Sequence, residues 1–329
     1  MKIKESKIGI LIRTKNRPLC LERAIVHIIS QTFKNWHMHI LNDGGNFEEV
    51  ERIIKNYECR IDGRVTLYDN RSSVGRGNAL SQLISYSSEE YLLINDDDDT
   101  IEHDFLEKTS AYLDDNERCV GVVTSNYDVF ETIENNTIKT IAKRDDFGKR
   151  DSMFIDYLSY LSSDIAIIPI CMLFRKRTIS LSGSIDVNLD FMEDYDFFVR
   201  LLMHGEFGVI TETLASYHHR IDSNSDYDTT RTVMNQGYKD LYFNHKVRSA
   251  ISNNDNLSKI ICSSIIETRN KRILFNKIDT NYKNTIECIS NMAKVMALTQ
   301  EKINTISNNT EKLAHSMQVL TQILIDKNK

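Results

Sequence analysis

Short apolar runs alternate with stretches of helical periodicity through the first hundred residues. Ile8 to Ile12 reads IGILI, an unbroken apolar run of the kind that marks a strand buried on both faces. Pro18 then stands where a helix can begin, and Leu21, Ala24, Ile25, Ile28 and Ile29 recur at helical spacing. Met38 to Leu41 predicts a second strand, running into the turn Asn42-Asp43-Gly44-Gly45. Glu48 to Tyr57 predicts a second helix, Val65 to Tyr68 a third strand and Gly77 to Tyr86 a third helix. Tyr91 to Ile94 (YLLI) predicts a fourth strand, which stops at Asp96-Asp97-Asp98-Asp99. Such repetition implies an α/β domain, a mostly parallel sheet with helices on both faces. Ligands of these sheets bind beyond the carboxyl ends of the strands. Asp43 and the four-aspartate run both fall there.

The pattern changes after residue 119. Val120 to Ile141 is rich in Val, Thr, Tyr and Ile and predicts strands joined in a hairpin, followed at 143–152 (KRDDFGKRDS) by a polar, mobile loop. Cys171 to Phe174 reads as a strand, Tyr195 to His204 as a helix, and Val209 to Tyr217 as one or two short strands. Beyond Asp222 the chain is polar, Asn-rich and helical. Its last segment repeats in sevens: Ile289, Met296, Ile303, Thr310, Met317 and Leu324 take one position, and Met292, Thr299, Ile306, Leu313 and Leu320 the other. So narrow a stripe predicts a coiled coil that makes a homo-oligomer through residues 289–324, the plainer alternative being a helix lying on the protein's own surface. The expected division is residues 1–225, a helical linker at 226–284 and the amphipathic helix at 285–329.

Composition narrows the partners. A net charge of −6 argues against nucleic acid, whose binders carry a basic excess. The six cysteines are scattered with no C-x-x-C pair, which points to reduced thiols in a cytoplasmic protein. No apolar stretch approaches the ~20 residues that span a bilayer, and no signal peptide is evident at the start. The expected location is the cytoplasm, and peripheral attachment at the inner face of the membrane is compatible with it.

Four aspartates directly after a buried strand repel one another unless a cation compensates them. Hard divalent ions such as Mn²⁺ or Mg²⁺ suit carboxylate oxygens, and Mg²⁺ commonly takes one or two carboxylates plus substrate phosphates. A solvated acidic turn or a helix cap is the alternative. Glu193-Asp194-Tyr195-Asp196 is a second acidic group, at the start of a helix, where a general base or a capping role is available. Tyr217-His218-His219-Arg220 is a third group. Arg13, Lys15, Arg17, Arg71 and Arg76 follow strand ends or flank a glycine loop, where a diphosphate could meet them. Neither a dinucleotide fingerprint nor a P-loop is present.

These motifs occur in a recognisable order. IRTKNRPLCLERAIVHIISQTFKNWHMHILNDGG resembles the opening of family-2 glycosyltransferases, YLLINDDDDTIEHDFLEK their D-x-D-D motif, FMEDYDFFVRLLMHG their E-D-[YW]-[DE] motif and LASYHHRIDSNS their closing strand. The resemblance covers roughly residues 7–225. It implies a GT-A fold, with a Rossmann-like sheet, that binds a nucleotide-diphosphate sugar and Mn²⁺ or Mg²⁺, and inverting transfer to a glycan or lipid-linked acceptor, as in bacterial surface glycan synthesis. Carried over by position, Thr14 and Asn16 would line the base and ribose pocket and Asp43 would contact the nucleobase. Arg17, Arg76, Asp96 and Asp97 would complete the nucleotide-sugar site. Asp98 would coordinate the metal with Asp99 in support, His218 or His219 being further ligands. Asp194 would be the catalytic base, with Glu193 next in line. Two departures stand out: Gly77 separates Arg76 from Asn78, and Arg220 falls where the family often has its His. A nucleotidyltransferase and a non-catalytic scaffold assembled through the coiled coil are the competing readings.

Overall fold

Seven consecutive buried residues, Ile8–Thr14, form β1, and their register against two neighbours sets up the whole carboxyl edge of the sheet. In the computed structural model, which describes residues 6–145, 148–161, 165–189, 191–220 and 256–327, β2 (Trp36–Asp43) lies parallel to β1 with Thr14 opposite Asn42. On the other side β4 (Tyr91–Ile94) is also parallel, with Ile94 opposite Leu11. The Asn95 amide then donates to the Leu11 carbonyl at 3.0 Å, so Asp96–Asp99 emerge level with Arg13 and Thr14. β3 (Val65–Asn70) completes this half, parallel to β2.

The helices between these strands start where local chemistry permits. α1 (Pro18–Ile29) has proline in its first turn, where the missing N–H costs nothing, and buries Leu21, Ala24, Ile25 and Ile28. α2 (Phe47–Asn56) is capped by Asn46, whose side chain accepts from the Glu49 amide at 3.2 Å. A short α3 (Glu58–Ile61) follows, and α4 (Arg76–Tyr86) begins directly after Gly75 at φ 89°, a conformation open to glycine.

The second half is mixed. β5 (Thr100–Ile101), α5 (Phe105–Asp115), β6 (Cys119–Glu134) and β7 (Thr137–Arg144) lead to α6 (Tyr157–Leu161), β8 (Met172–Arg175), α7 (Ile179–Ser182), α8 (Glu193–Leu202) and β9 (Glu206–Arg220). The sheet order is β3-β2-β1-β4-β8-β6-β9-β5, with β7 on β6. β8 is antiparallel to both β4 and β6, and β5 is antiparallel to β9, whereas β6 and β9 run parallel. The parallel reading therefore holds for β3-β2-β1-β4. Beyond β4 it holds only for β6 beside β9, since β8 and β5 run antiparallel to their neighbours and β7 joins β6 as a hairpin, which needs no crossover helix. The core joins the two halves, with Trp36, Tyr91, Phe105, Phe174, Phe197, Phe198 and Phe207 fully buried.

Three local expectations change. Val209 to Tyr217 belongs to one fifteen-residue strand, β9. α8 starts two residues before Tyr195, which places Glu193 and Asp194 in its first turn. The polar segment after β7 is anchored: Arg150 is buried, donating to the Thr124 carbonyl at 3.2 Å and the Ala166 carbonyl at 2.7 Å. Charge alone suggested solvent there, but a guanidinium with carbonyl partners can be interior.

The chain divides into two units, Met1–Ile265 and Ile266–Lys329. Residues 226–255 of the expected linker lie outside the described residues. From Asn256 to Lys327 a single helix, α9, continues through position 285. Among the described residues no helix is long and apolar enough to cross a membrane. Cys20, Cys59, Cys119, Cys171 and Cys288 are free thiols.

Candidate active site

A cavity of about 370 Å³ opens at the carboxyl ends of β1, β2 and β4. Four cationic side chains line it, Arg13, Lys15, Arg17 and Arg76, together with three aspartates, Asp43, Asp96 and Asp98. Thr14, the Ser73–Gly75 loop and Tyr217 supply most of the remaining wall. The register described above accounts for this convergence: Arg13 and Thr14 end β1, Asp43 ends β2, and Asp96 and Asp98 follow β4.

The carboxylates differ in role. Asp96 takes a forked pair of bonds from Arg13, Nε to Oδ1 at 2.7 Å and Nη2 to Oδ2 at 3.2 Å. Burial opposes its charge, but Arg13 and Arg76 outweigh burial and hold its pKa at about 2. Asp97 is fully buried, accepts from Thr14 Oγ1 at 2.7 Å and from Arg17 Nε at 3.2 Å, and is absent from the cavity wall. Burial and the adjacent Asp98 push it up to about 6 despite Arg17. Asp99 points inward and accepts from the His218 amide at 3.0 Å; burial and Asp98 raise its pKa well above the usual range.

Asp98 is the junction. Its Oδ2 accepts from Arg17 Nη1 at 3.0 Å and also from Arg220 Nη2. Its Oδ1 takes no hydrogen bond from the described residues. Behind it, Glu131 on β6 accepts from Arg220 Nη1 at 2.8 Å and from Arg23 at 2.7 and 3.1 Å, and it meets His218 Nδ1 at 2.9 Å. Burial works against its charge, but His218 and Arg23 hold the Glu131 pKa at about 2.

The histidine pair is engaged by protein groups. His218 uses its second nitrogen, Nε2, on Thr100 Oγ1 at 2.9 Å, and burial lowers its pKa. His219 Nε2 meets Asp128 Oδ1 at 2.7 Å, and the ring stacks on Phe130 with centroids 4.9 Å apart. Neither lies on the cavity wall. Among the described residues no group of three or more His, Cys, Asp and Glu comes together as a metal cage. What the cavity does present is hard carboxylate oxygen from Asp98 and Asp96, a donor set suited to Mg²⁺ or Mn²⁺ when phosphate oxygens complete the shell.

The remaining predicted residues divide similarly. Asp43 accepts from Ser73 Oγ at 2.7 Å, the Val74 amide at 2.9 Å, Asn70 Nδ2 at 3.0 Å and the Gly75 amide at 3.2 Å. Burial opposes its ionisation, but those bonds keep its pKa below the ordinary value. Asn16, at φ 53°, accepts from the Asn46 amide at 3.2 Å and so ties the loop after β1 to the start of α2. It is absent from the wall of the cavity.

On the other side of Arg13 lies α8. Arg13 Nη1 donates to Glu193 Oε1 at 3.3 Å, and Arg76 Nε stands 3.4 Å from the same oxygen. Glu193 is thus buried between two guanidinium groups. Among the described residues Asp194 has no such ion pair, and its Oδ1 accepts from the Tyr195 amide at 2.7 Å. Burial and neighbouring Glu193 push its pKa up to about 6, while the residue keeps partial exposure. Met192, immediately before the pair, holds φ 64°, a left-handed conformation costly for a side-chain-bearing residue and often kept where a site needs a sharp turn.

Sequence reasoning placed Arg13 and Lys15 among the cations that could meet a diphosphate, and it assigned no role to Tyr217 or Glu131. Tyr217 is legible only once β9 is known to return to the site. Glu131 sits in VFETIE, where a lone acid on a strand looks solvent-facing.

The fold and the site agree with one class of protein. The chain belongs to glycosyltransferase family 2, whose model, Glycosyl transferase family 2, matches residues 9–180. Among its relatives is an uncharacterized glycosyltransferase of Methanocaldococcus jannaschii, MJ1057, 26% identical over 222 residues, 67% of this chain and 72% of that protein. An uncharacterized glycosyltransferase of Haemophilus influenzae is 26% identical over 214 residues, 65% of this chain and 79% of that one. Residues 1–349 of S. aureus TarS, crystallised with UDP-GlcNAc, superpose with a TM-score of 0.57 at 12% identity, covering 80% of this chain and 72% of that one. The shared architecture is the GT-A fold, and the activity common to the family is sugar transfer.

Proposed function

We propose that this transferase moves a sugar, with inversion, from a nucleoside-diphosphate donor to an acceptor hydroxyl, using Mn²⁺ or Mg²⁺. The observation that carries the reading is a cavity lined by one acidic group, with a second acidic group, off its wall, held to it through Arg13. Asp96 and Asp98 line it from β4, and Asp194 stands on α8 beyond Arg13. A direct displacement needs its base and its leaving group on opposite sides of the sugar, and separate elements can supply them.

The chain's own groups divide the work. Asp43 and Thr14 border the part of the cavity suited to the nucleoside, with Asn16 bracing the loop beneath. Lys15, Arg17 and Arg76 meet the diphosphate, guanidinium being well matched to phosphate oxygens. Asp98, with Asp96, would hold the divalent ion, which when bound supplies Lewis-acid neutralisation of the leaving diphosphate. Asp97 and Asp99 brace that strand end from within, and His218 and His219 act behind it through Thr100 and Asp128. Asp194 removes the proton from the acceptor hydroxyl, a contribution of typically ~10²–10⁴-fold. Glu193, held by Arg13 and Arg76, positions the two cations and is the poorer base.

A UDP-sugar is the first donor to test, because TarS was crystallised with UDP-GlcNAc. The acceptor class we favour is a glycan or lipid-linked glycan of the bacterial surface, met at the inner face of the membrane. Residues 1–225 form the catalytic part in this reading, with 226–284 as a linker to the helix at 285–329. The test is a panel of nucleotide sugars incubated with Mn²⁺, scored for nucleoside diphosphate release. Retained anomeric configuration in the product, read by NMR coupling constants, would refute inversion, and no turnover of any donor would refute the transferase reading of this cavity.

A further inference from the structure

The seven-residue stripe extends upstream of Ile289. Counting back, Tyr282 and Phe275 fall at one core position and Ile278 at the other. From Phe275 to Leu320 every apolar side chain at the two core positions is 53–70% exposed on α9. At about 1.5 Å per residue that seam is about 69 Å long. We propose that it is a contact between copies of this chain: α9 pairs with α9 of a second copy, parallel and in register.

Length is the first argument. A compact domain of about 220 residues measures only about 45 Å across, so a seam this long calls for a partner as extended as itself. Charge is the second. Between Phe275 and Leu320 the flanking positions carry only two charges, Asp279 on one side and Lys302 on the other, among neutral residues such as Ala293, Gln300, Ser307 and Asn309. Partners of unlike sequence are selected by charge at these positions, and two isolated charges over the whole seam offer little to select by. A second copy meets no like-charge repulsion, because Lys302 then faces Ser307 and Asp279 faces Leu274.

The three threonines in the seam, Thr285, Thr299 and Thr310, do not break it. Each hydroxyl donates at 2.8 Å to the carbonyl one turn back, of Asn281, Val295 and Ile306. Each can therefore be buried with its donor satisfied and its methyl in the seam. In-register parallel pairing sets every threonine against a threonine. An antiparallel pairing that matches Thr285 with Thr310 leaves Thr299 against Met296.

Light scattering on the full chain tests the contact. The expected mass is at least twice 38.1 kDa, falling to the single-chain value in the double substitution Ile303→Asp with Ile306→Asp. A wild-type chain of single mass at micromolar concentration overturns the proposal, and so does a double variant that stays assembled. Register is read separately with Leu313→Cys in a Cys288→Ser background. Mild oxidation should link two chains through position 313; an assembled protein that does not link refutes the parallel arrangement. Both readouts are independent of sugar transfer.

Discussion

Asp96 and Glu193 grip the same guanidinium. Arg13 reaches Asp96 Oδ1 from Nε at 2.7 Å and Glu193 Oε1 from Nη1 at 3.3 Å. It also donates to the Arg76 carbonyl at 2.9 Å. One buried side chain therefore fixes the strand end that carries Asp98 relative to the helix turn that carries Asp194. The two acidic groups can stay close because the guanidinium shared between them offsets their mutual repulsion.

Asp194→Asn should cut transfer by roughly 10²–10⁴-fold with nucleotide affinity unchanged, measured by steady-state turnover beside a UDP titration. Glu193→Gln should behave differently. It releases Arg13 and Arg76, so its larger effect falls on donor KM, and near-normal KM with lost turnover would exchange the two roles.

The pH profile follows from the raised pKa of Asp194. A base works only when deprotonated, so transfer should fall as pH drops through about 6. The unfolded side chain ionises near the ordinary 3.8, below the folded value, so ionising Asp194 costs stability as pH rises across that interval. The acid limb should be absent from whatever residual rate Asp194→Asn retains.

Much of this site was legible in the chain before folding, and the reasons are physical. Buried parallel strands announce themselves as apolar runs, so β1 and β4 and the polar residues that end them stood out. Glu131 did not. A carboxylate in an otherwise ordinary strand becomes a hub only when α1 delivers Arg23 and β9 delivers His218 and Arg220, contacts between distant segments. Arg150 was misread for the same reason, its carbonyl partners being contributed by β6 and by the segment before β8. The different surroundings of Asp97 and Asp98 also needed the fold, since one lines the cavity and its neighbour is buried behind it.

Glu131→Ala should be the most destabilising change near the site. It leaves Arg220, Arg23 and His218 facing an uncompensated pocket, and losing one partner of a buried ion pair costs about 3–5 kcal/mol. At about 2–4 °C per kcal/mol, the melting temperature should drop by roughly 10 °C. Because Glu131 has a depressed pKa, its stabilising effect is complete above about 4.5 and is lost as pH falls towards about 2. The difference between wild type and variant in calorimetric melts should narrow across that range.

Arg220 and Arg17 both occupy Asp98 Oδ2. Arg220→Gln should remove one of these competitors. Metal affinity measured without nucleotide should rise by severalfold, since one guanidinium fewer must be displaced. Unchanged affinity in a folded variant would mean that Asp98 does not take the ion.

In the function proposed above, the cavity between Asp98 and Arg13 receives a sugar nucleotide together with a divalent ion. Titration calorimetry with UDP-GlcNAc and other nucleotide sugars, with and without Mn²⁺, measures this directly. Mn²⁺ should strengthen binding in the wild type and no longer strengthen it in Asp98→Asn. If no nucleotide sugar binds with or without the ion, or if Asp98→Asn keeps the full metal effect, the account is contradicted.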